Sequence, residues 1–306
     1  MKVVVSGAAG FLGRAIVERF LADGYHVVGL GRSAAPPAQL DHAAWQQMEL
    51  PAAGLSAVLR EVQPEVVIHA ASSASVALSI EDPLYDLTQS VGVWSHMLEA
   101  IRHSGVSCRT VLLSSAAVYG NPLRLPISED DAPAPISPYG HHKYFCEMIA
   151  NYYVRLYGLQ ICTARIFSAY GPGLKRQVVW DLCRKLQASP RVALSGTGEE
   201  SRDFIHASDT AQAIACIVER GDFAGGLYNV ASGTAITISL LAASVASAFS
   251  AEHRVSFNGQ SRDGDPLVWR ADIRRLSALG FRCAMEFEEG LRDYVDWARC
   301  ELELQQ

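Results

Sequence analysis

Three residues in the middle of this sequence have the types and spacing for proton and hydride chemistry at an alcohol or ketone carbon. Ser115 ends the apolar run Val111-Leu-Leu-Ser114-Ser115, followed by Ala116-Ala117-Val118-Tyr119-Gly120. Tyr139 and Lys143 stand in Ser137-Pro138-Tyr139-Gly140-His141-His142-Lys143. Oxidising an alcohol requires a base for the hydroxyl proton, and a free phenol, with a pKa of about 10, ionises too little at neutral pH. A lysine ammonium one helical turn away favours the phenolate. Residues four apart share one face of a helix, which is the separation of Tyr139 and Lys143. Ser115 adds a hydroxyl able to hold the substrate oxygen. On its own, a Tyr and a Lys at helical spacing is more often a surface pair, so the elements around them decide.

Those elements read as alternating strands and helices. Thr110 to Leu113 forms a short buried strand ending in hydroxyls, and Ser137 as N-cap with Pro138 as first residue opens the helix of Tyr139, which reaches about Tyr157. Lys2 to Ser6 is an apolar strand. Gly7-Ala8-Ala9-Gly10-Phe11-Leu12-Gly13 turns it into a helix running to about Ala22, and such a turn sets backbone N–H groups and a positive helix end around a pyrophosphate. Gly7, Gly10, Phe11, Leu12 and Gly13 are therefore candidate cofactor residues. Further strands are expected at Tyr25 to Leu30, Trp45 to Leu50, Glu65 to Ala71 and Leu159 to Ile166. Helices are expected near Leu55 to Val62 and Pro83 to Ser104. The pattern predicts a doubly wound parallel α/β sheet, the Rossmann arrangement, with a smaller C-terminal α/β domain for substrate.

At the end of the second strand an acidic residue would accept hydrogen bonds from the adenosine ribose of a dinucleotide. Gly31-Arg32-Ser33 stands there instead. Arg32 can pair with a 2′-phosphate and Ser33 can donate to it, which favours NADP(H) over NAD(H). Small residues Ala70 to Ser73, Ala70 and Ala71 ending a continuous apolar strand, let the backbone approach the cofactor. His69 reads as a core histidine.

The two central motifs, Ser-Ser-Ala-Ala-Val-Tyr-Gly and Ser-Pro-Tyr-Gly-x-x-Lys, resemble the extended short-chain dehydrogenase/reductase family of nucleotide-sugar epimerases, dehydratases and 4-ketoreductases. The GxxGxxG spacing of the first turn is similar to that family, and the resemblance runs over nearly all of the chain. It implies a catalytic trio of Ser115, Tyr139 and Lys143, with the last two also touching cofactor, and places Glu49 and Leu50 beside the adenine. Ser168-Ala-Tyr-Gly-Pro172 resembles the family's Asn-x-Tyr-Gly-Pro, with Ser168 replacing an asparagine that touches substrate. A supporting asparagine of the long helix is likewise replaced, by Ser90. The resemblance puts Ser73, Ser115 and Ala116 at the sugar, Lys175 and Gln177 in a loop over the nucleotide, and Arg202 and Arg262 at its diphosphate. It also implies a homodimer through the helices near residues 84–104 and 138–157. The cofactor domain is expected at 1–173 with 205–232, and the substrate domain at 174–204 and 233–306.

Absent residues narrow the reaction. Eliminating water across two sugar carbons needs a proton donor and a base, which the resemblance would place after Ser115 as an Asp-Glu pair. Ala116-Ala117 stands there, which argues against a dehydratase. Cys146 with His141 or His142 makes no clear acid/base pair. Two readings of hydride transfer at carbon 4 of a nucleotide-diphosphate hexose stay open, with a slight lean to NADPH-dependent reduction of a 4-keto sugar over 4-epimerisation by tightly bound cofactor. A non-catalytic NADP(H) sensor or scaffold is the alternative of another class.

Composition agrees with a soluble cytoplasmic enzyme. The 306 residues allow a substantial core. A net charge of −6 excludes the basic footprint of a nucleic-acid binder. Seven cysteines read as reduced thiols. No apolar run is long enough for a membrane span, and no metal-ligand pattern is evident.

Overall fold

Alternation along the first strand divides the core in two. Val3 and Val5 point to one side of the sheet, where they meet Ile16, Val17, Phe20, Ile214 and Ile217. Val4 points to the other, among Val67, Leu112, Met97 and Leu98. A strand buried on both faces reads as a continuous apolar run, and burying each of these side chains contributes about 1.5–3 kcal/mol.

The computed structural model describes residues 1–249, 254–260 and 267–304. Its strands are β1 (Lys2–Ser6), β2 (His26–Gly31), β3 (Ala44–Gln47), β4 (Val66–His69), β5 (Arg109–Ser115), β6 (Gln160–Ile166), β7 (Ser168–Tyr170), β8 (Arg191–Leu194), β9 (Ser201–His206), β10 (Ala224–Val230), β11 (Ala235–Thr237) and β12 (Arg254–Phe257). Its helices are α1 (Phe11–Ala22), α2 (Leu55–Val62), α3 (Val76–Glu81), α4 (Pro83–Leu87), α5 (Val93–Ser104), α6 (Pro138–Tyr157), α7 (Gln177–Ala188), α8 (Ala207–Arg220), α9 (Ile238–Phe249), α10 (Arg274–Ala278) and α11 (Phe287–Glu303).

Seven strands form one sheet in the order β10-β6-β5-β4-β1-β2-β3, every pair parallel. This is the doubly wound fold expected from the sequence. Strand order reverses between β1 and β4, and the carboxyl ends of strands at such a reversal frame a crevice. A three-stranded sheet, β11-β9-β7, and a pair, β12-β8, lie beyond it. The latter pair packs with α7, α9 and α11 around Leu182, Val245, Tyr294 and Val295. A smaller cluster of Ala116, Val118, Tyr119, Phe167 and Trp269 lies behind the end of β5.

Two departures from the expected elements bear on the site. The third strand ends at Gln47, short of the expected Leu50, with the Met48 N–H making its last ladder bond to the Gly31 carbonyl. The long helix expected from Pro83 to Ser104 is interrupted by a wide turn of π type, Thr88–Gly92, between α4 and α5. That extra residue rotates Ser90 inward, where it is 1% exposed.

Candidate active site

The helix that carries Tyr139 and Lys143 is fixed at its start by short-range chemistry. Ser137 accepts from the Gly140 N–H at 3.2 Å and Pro138 occupies the first position. The Tyr139 N–H donates to Ser79 Oγ at 3.0 Å. Residue 140 must be glycine for proximity: a Cβ there would lie 2.6 Å from the Ala117 carbonyl oxygen. The first turn of α6 therefore abuts the single 3-10 turn Ala116–Tyr119 that follows Ser115. Ser115 caps that turn, its Oγ accepting from the Ala117 N–H at 3.2 Å. Strand end and helix start thus bring Ser115, Tyr139 and Lys143 to the same end of the sheet.

Lys143 is 5% exposed, yet its Nζ is satisfied. It donates to Ser72 Oγ at 2.9 Å and to the Leu113 carbonyl at 3.1 Å, and lies 5.8 Å from the centre of the Tyr139 ring. Ser72 continues to Ser90, with the two hydroxyl oxygens 3.0 Å apart. A buried ammonium is tolerated only with such partners. In the sequence Ser90 stands out solely as a replaced asparagine, and Ser72 only as one of the small residues Ala70 to Ser73; neither signals a partner for the lysine.

The glycine turn fits a dinucleotide. Gly7 has φ +70°, and a Cβ on it would lie 2.7 Å from the Ala71 N, so β1 and β4 approach too closely for any side chain. A Cβ at Gly13 would fall 2.1 Å from the Gly7 carbonyl oxygen, which ties the helix to the turn. Gly10, exposed, is the N-cap of α1 and leaves that helix end without a side-chain cap or an acidic residue in its first turn. Phe11 and Leu12 follow as partly exposed residues of the first turn, which is the end that attracts an anion. Beside Ala70 and Ala71, His69 is buried, its Nδ1 2.9 Å from Ser6 Oγ, and burial with the charge of Lys143 lowers its pKa to about 3. It is a neutral core histidine, as its sequence suggested.

At the end of β2, Arg32 is exposed, and its carbonyl accepts from Gln47 Nε2 at 3.1 Å. Ser33 turns its hydroxyl to the Ala35 carbonyl at 2.7 Å and receives Trp45 Nε1 on its own carbonyl at 2.9 Å. Two side chains of β3 therefore hold this loop. Glu49 is exposed and Leu50 partly buried just beyond it.

The expected substrate residues are only partly brought together. Ser73 lies beside the lysine network, with its Oγ buried and unpartnered among the described residues. Ser168 opens β7 and is partly exposed. Ala116, by contrast, is fully buried in the cluster behind β5, and Ala117 is the partly exposed residue of the two. Lys175 is ion-paired with Glu301 of α11, and Tyr294 donates to the neighbouring Leu174 carbonyl at 2.6 Å. Gln177 is exposed, with φ +69° at the start of α7. Arg202 lies over the Trp269 ring at 5.6 Å and donates to the Ser201 carbonyl at 2.9 Å. Arg262 lies outside the described residues.

A glycine turn at the reversal of a doubly wound sheet, facing a helix with a tyrosine and a buried lysine, defines a dinucleotide-dependent enzyme of the extended short-chain dehydrogenase/reductase type. The model of the NAD dependent epimerase/dehydratase family matches residues 3–231, and the chain belongs to that family. It is 32% identical over 313 residues to a UDP-glucose 4-epimerase of Mycolicibacterium smegmatis, covering 98% of this chain and 99% of the relative. The structure is similar to that of a UDP-glucose 4-epimerase of Thermotoga maritima with UDP-glucose, with a TM-score of 0.90, 27% identity and coverage of 99% and 100% of the two chains. It is also similar to a Thermus thermophilus UDP-glucose 4-epimerase in complex with NAD, with a TM-score of 0.87, 31% identity and coverage of 98% and 99%. The leans to NADP(H) and to 4-keto reduction find no support in these relatives. Among the described residues no helix is long and apolar enough to cross a membrane.

Proposed function

We propose that this protein is a nucleotide-sugar 4-epimerase that uses a tightly held NAD to invert carbon 4 of a UDP-hexose. The observation that carries the reading is Lys143, buried and hydrogen-bonded beside the Tyr139 ring, in a chain similar over its whole length to UDP-glucose 4-epimerases. The turn at Gly7, Gly10 and Gly13 would hold the pyrophosphate, and Ala70, Ala71, Tyr139 and Lys143 would line the rest of the cofactor. Bound NAD supplies a hydride acceptor that can return the hydride. Tyr139 takes the proton of the 4-hydroxyl and later gives it back, Lys143 keeps positive charge beside the phenol, and Ser115 holds the oxygen through oxidation and return. Ala116 and Ala117 offer no carboxyl for elimination, which fits inversion without dehydration.

We assign cofactor to 1–173 with 205–232 and the sugar nucleotide to 174–204 and 233–306. The exposed Arg32 favours the second reading, reduction of a 4-keto sugar by NADPH, because no acidic residue there repels a 2′-phosphate. Exposed Phe145, Met148, Tyr152 and Leu156 share one face of α6 beside exposed Leu84 and Tyr85 of α4, which supports a homodimer through these helices. Free cysteines fit a reducing, cytoplasmic setting.

The test is to identify the cofactor released from the purified protein on denaturation and to follow UDP-glucose by NMR. Epimerisation gives UDP-galactose with no net change in reduced cofactor. Stoichiometric NADPH oxidation by a 4-keto sugar nucleotide, without interconversion, would replace this reading with the reductase.

A further inference from the structure

Leu113 and Ser114 of β5 both bond α6, just before the strand ends at Ser115. The Leu113 carbonyl takes Lys143 Nζ, and the Ser114 hydroxyl donates to Glu147 Oε1 at 2.5 Å. On α6 Tyr139, Lys143 and Glu147 fall at successive turns on one face. Glu147 is 5% exposed and is closed from β6 by Arg165, whose Nε and Nη2 lie 3.0 and 2.7 Å from its two oxygens. Ser114 and Arg165 are register partners on adjacent strands, so both side chains leave the sheet on the same face and meet one carboxylate. The Arg165 guanidinium stands 4.6 Å over the Tyr119 ring.

This group is poorly explained by stability. A buried ion pair is often no better than apolar side chains of the same volume, and here Arg165 Nη1 is left buried and unpartnered among the described residues. Apolar packing would hold α6 on the sheet but tolerate small slides along it. Directional bonds to one carboxylate do not. The Ser114 bond is one residue from Ser115 and one helical turn from Lys143, so it fixes the strand end against the helix at the point where proton and hydride transfer need alignment.

Resting on the reading above, we infer that Ser114 and Glu147 are positioning residues: their hydrogen bond sets Ser115 against Tyr139 and Lys143, and Arg165 holds Glu147 for it. Neither touches the reacting atoms.

The deciding variant is Ser114→Ala, since Glu147→Gln leaves Arg165 buried without its counter-charge and can fail to fold. Expected are a kcat about tenfold lower, a KM for the sugar nucleotide within twofold, a Tm lowered by no more than a few degrees, and recovery of kcat in Ser114→Thr. An unchanged kcat, or a loss that tracks Tm and is not recovered by threonine, overturns the inference. Crystal structures of wild type and Ser114→Ala decide it independently of turnover. The inference requires the first turns of α6 to shift relative to Ser115, and superposable positions refute it even if no sugar nucleotide proves to be a substrate. Absence of turnover in the wild type would count against the epimerase alone.

Discussion

Lys143 donates to the hydroxyl of Ser72 at 2.9 Å, and Ser72 lies 3.0 Å from Ser90 on the wide turn between α4 and α5. The ammonium is thereby held from the end of β4, where Ser90 of the wide turn beside α6 backs Ser72, while Leu113 holds it from β5. Two hydroxyls do this in a chain that lacks an asparagine at position 90.

Removing the nearer hydroxyl should therefore be felt in catalysis. In Ser72→Ala the buried ammonium loses an acceptor, a loss of about 1–3 kcal/mol, or roughly tenfold in kcat if it falls on the transition state. Ser90→Ala should cost less, because it bonds Ser72 and not the lysine. Steady-state kinetics on both variants check the order; an equal or reversed effect would show that Ser72 is not the direct support.

Tyr139→Phe should abolish interconversion while the protein still retains cofactor, since only the group that moves the proton is lost. The measurements are turnover and the cofactor content after gel filtration. Near-normal turnover would remove Tyr139 from its role.

Gly140→Ala should destabilise the protein by about 1–3 kcal/mol, because the new methyl would lie 2.6 Å from the Ala117 carbonyl oxygen and α6 would have to move off the turn. A thermal melt reads this as a Tm lower by several degrees. A Tm equal to wild type would mean that the two elements separate freely.

Arg32→Ala should weaken NADPH by about 1.5–3 kcal/mol if the guanidinium meets a 2′-phosphate, with little change for NADH. Titration of both cofactors into protein stripped of its own distinguishes this from an arginine that merely faces solvent, which would leave both affinities alike.

His69 gives a stability prediction with a definite sign. Its pKa is about 3 in the folded protein, lowered by burial and by Lys143, against about 6.5 unfolded, so between these values the unfolded chain binds the extra proton. Its contribution is full above about pH 6.5 and is lost as pH falls toward 3. Urea unfolding should show stability about 2 kcal/mol lower at pH 5 than at pH 7.5 from this group, and His69→Gln should flatten that part of the curve. Parallel curves for the two proteins would refute it.

What the sequence determined by itself is what local rules control. Short continuous apolar runs, glycines bounding β1 and α1, and Ser137-Pro138 capping α6 each encode an element within a few residues, and a doubly wound sheet is what alternating strands and helices of this kind can bury. The trio was legible because Tyr139 and Lys143 share a helix and Ser115 ends a strand. Tertiary structure alone decided the partners that come from far along the chain. Ser72 meets Lys143 across 71 residues, and Ser90 reaches Ser72 because the helix Pro83 to Ser104 breaks into a wide turn, which nothing in the local pattern demanded. Glu147 reads on its helix as an ordinary charge until register sets Ser114 opposite Arg165. Lys175 reads as a ligand candidate until Glu301, 126 residues away, takes its charge. Ala116 follows Ser115 in the chain, yet the 3-10 turn sends it into the core and leaves Ala117 facing out. Spacing along a chain fixes faces of single elements, whereas which faces meet depends on how whole elements bury their apolar surface against one another.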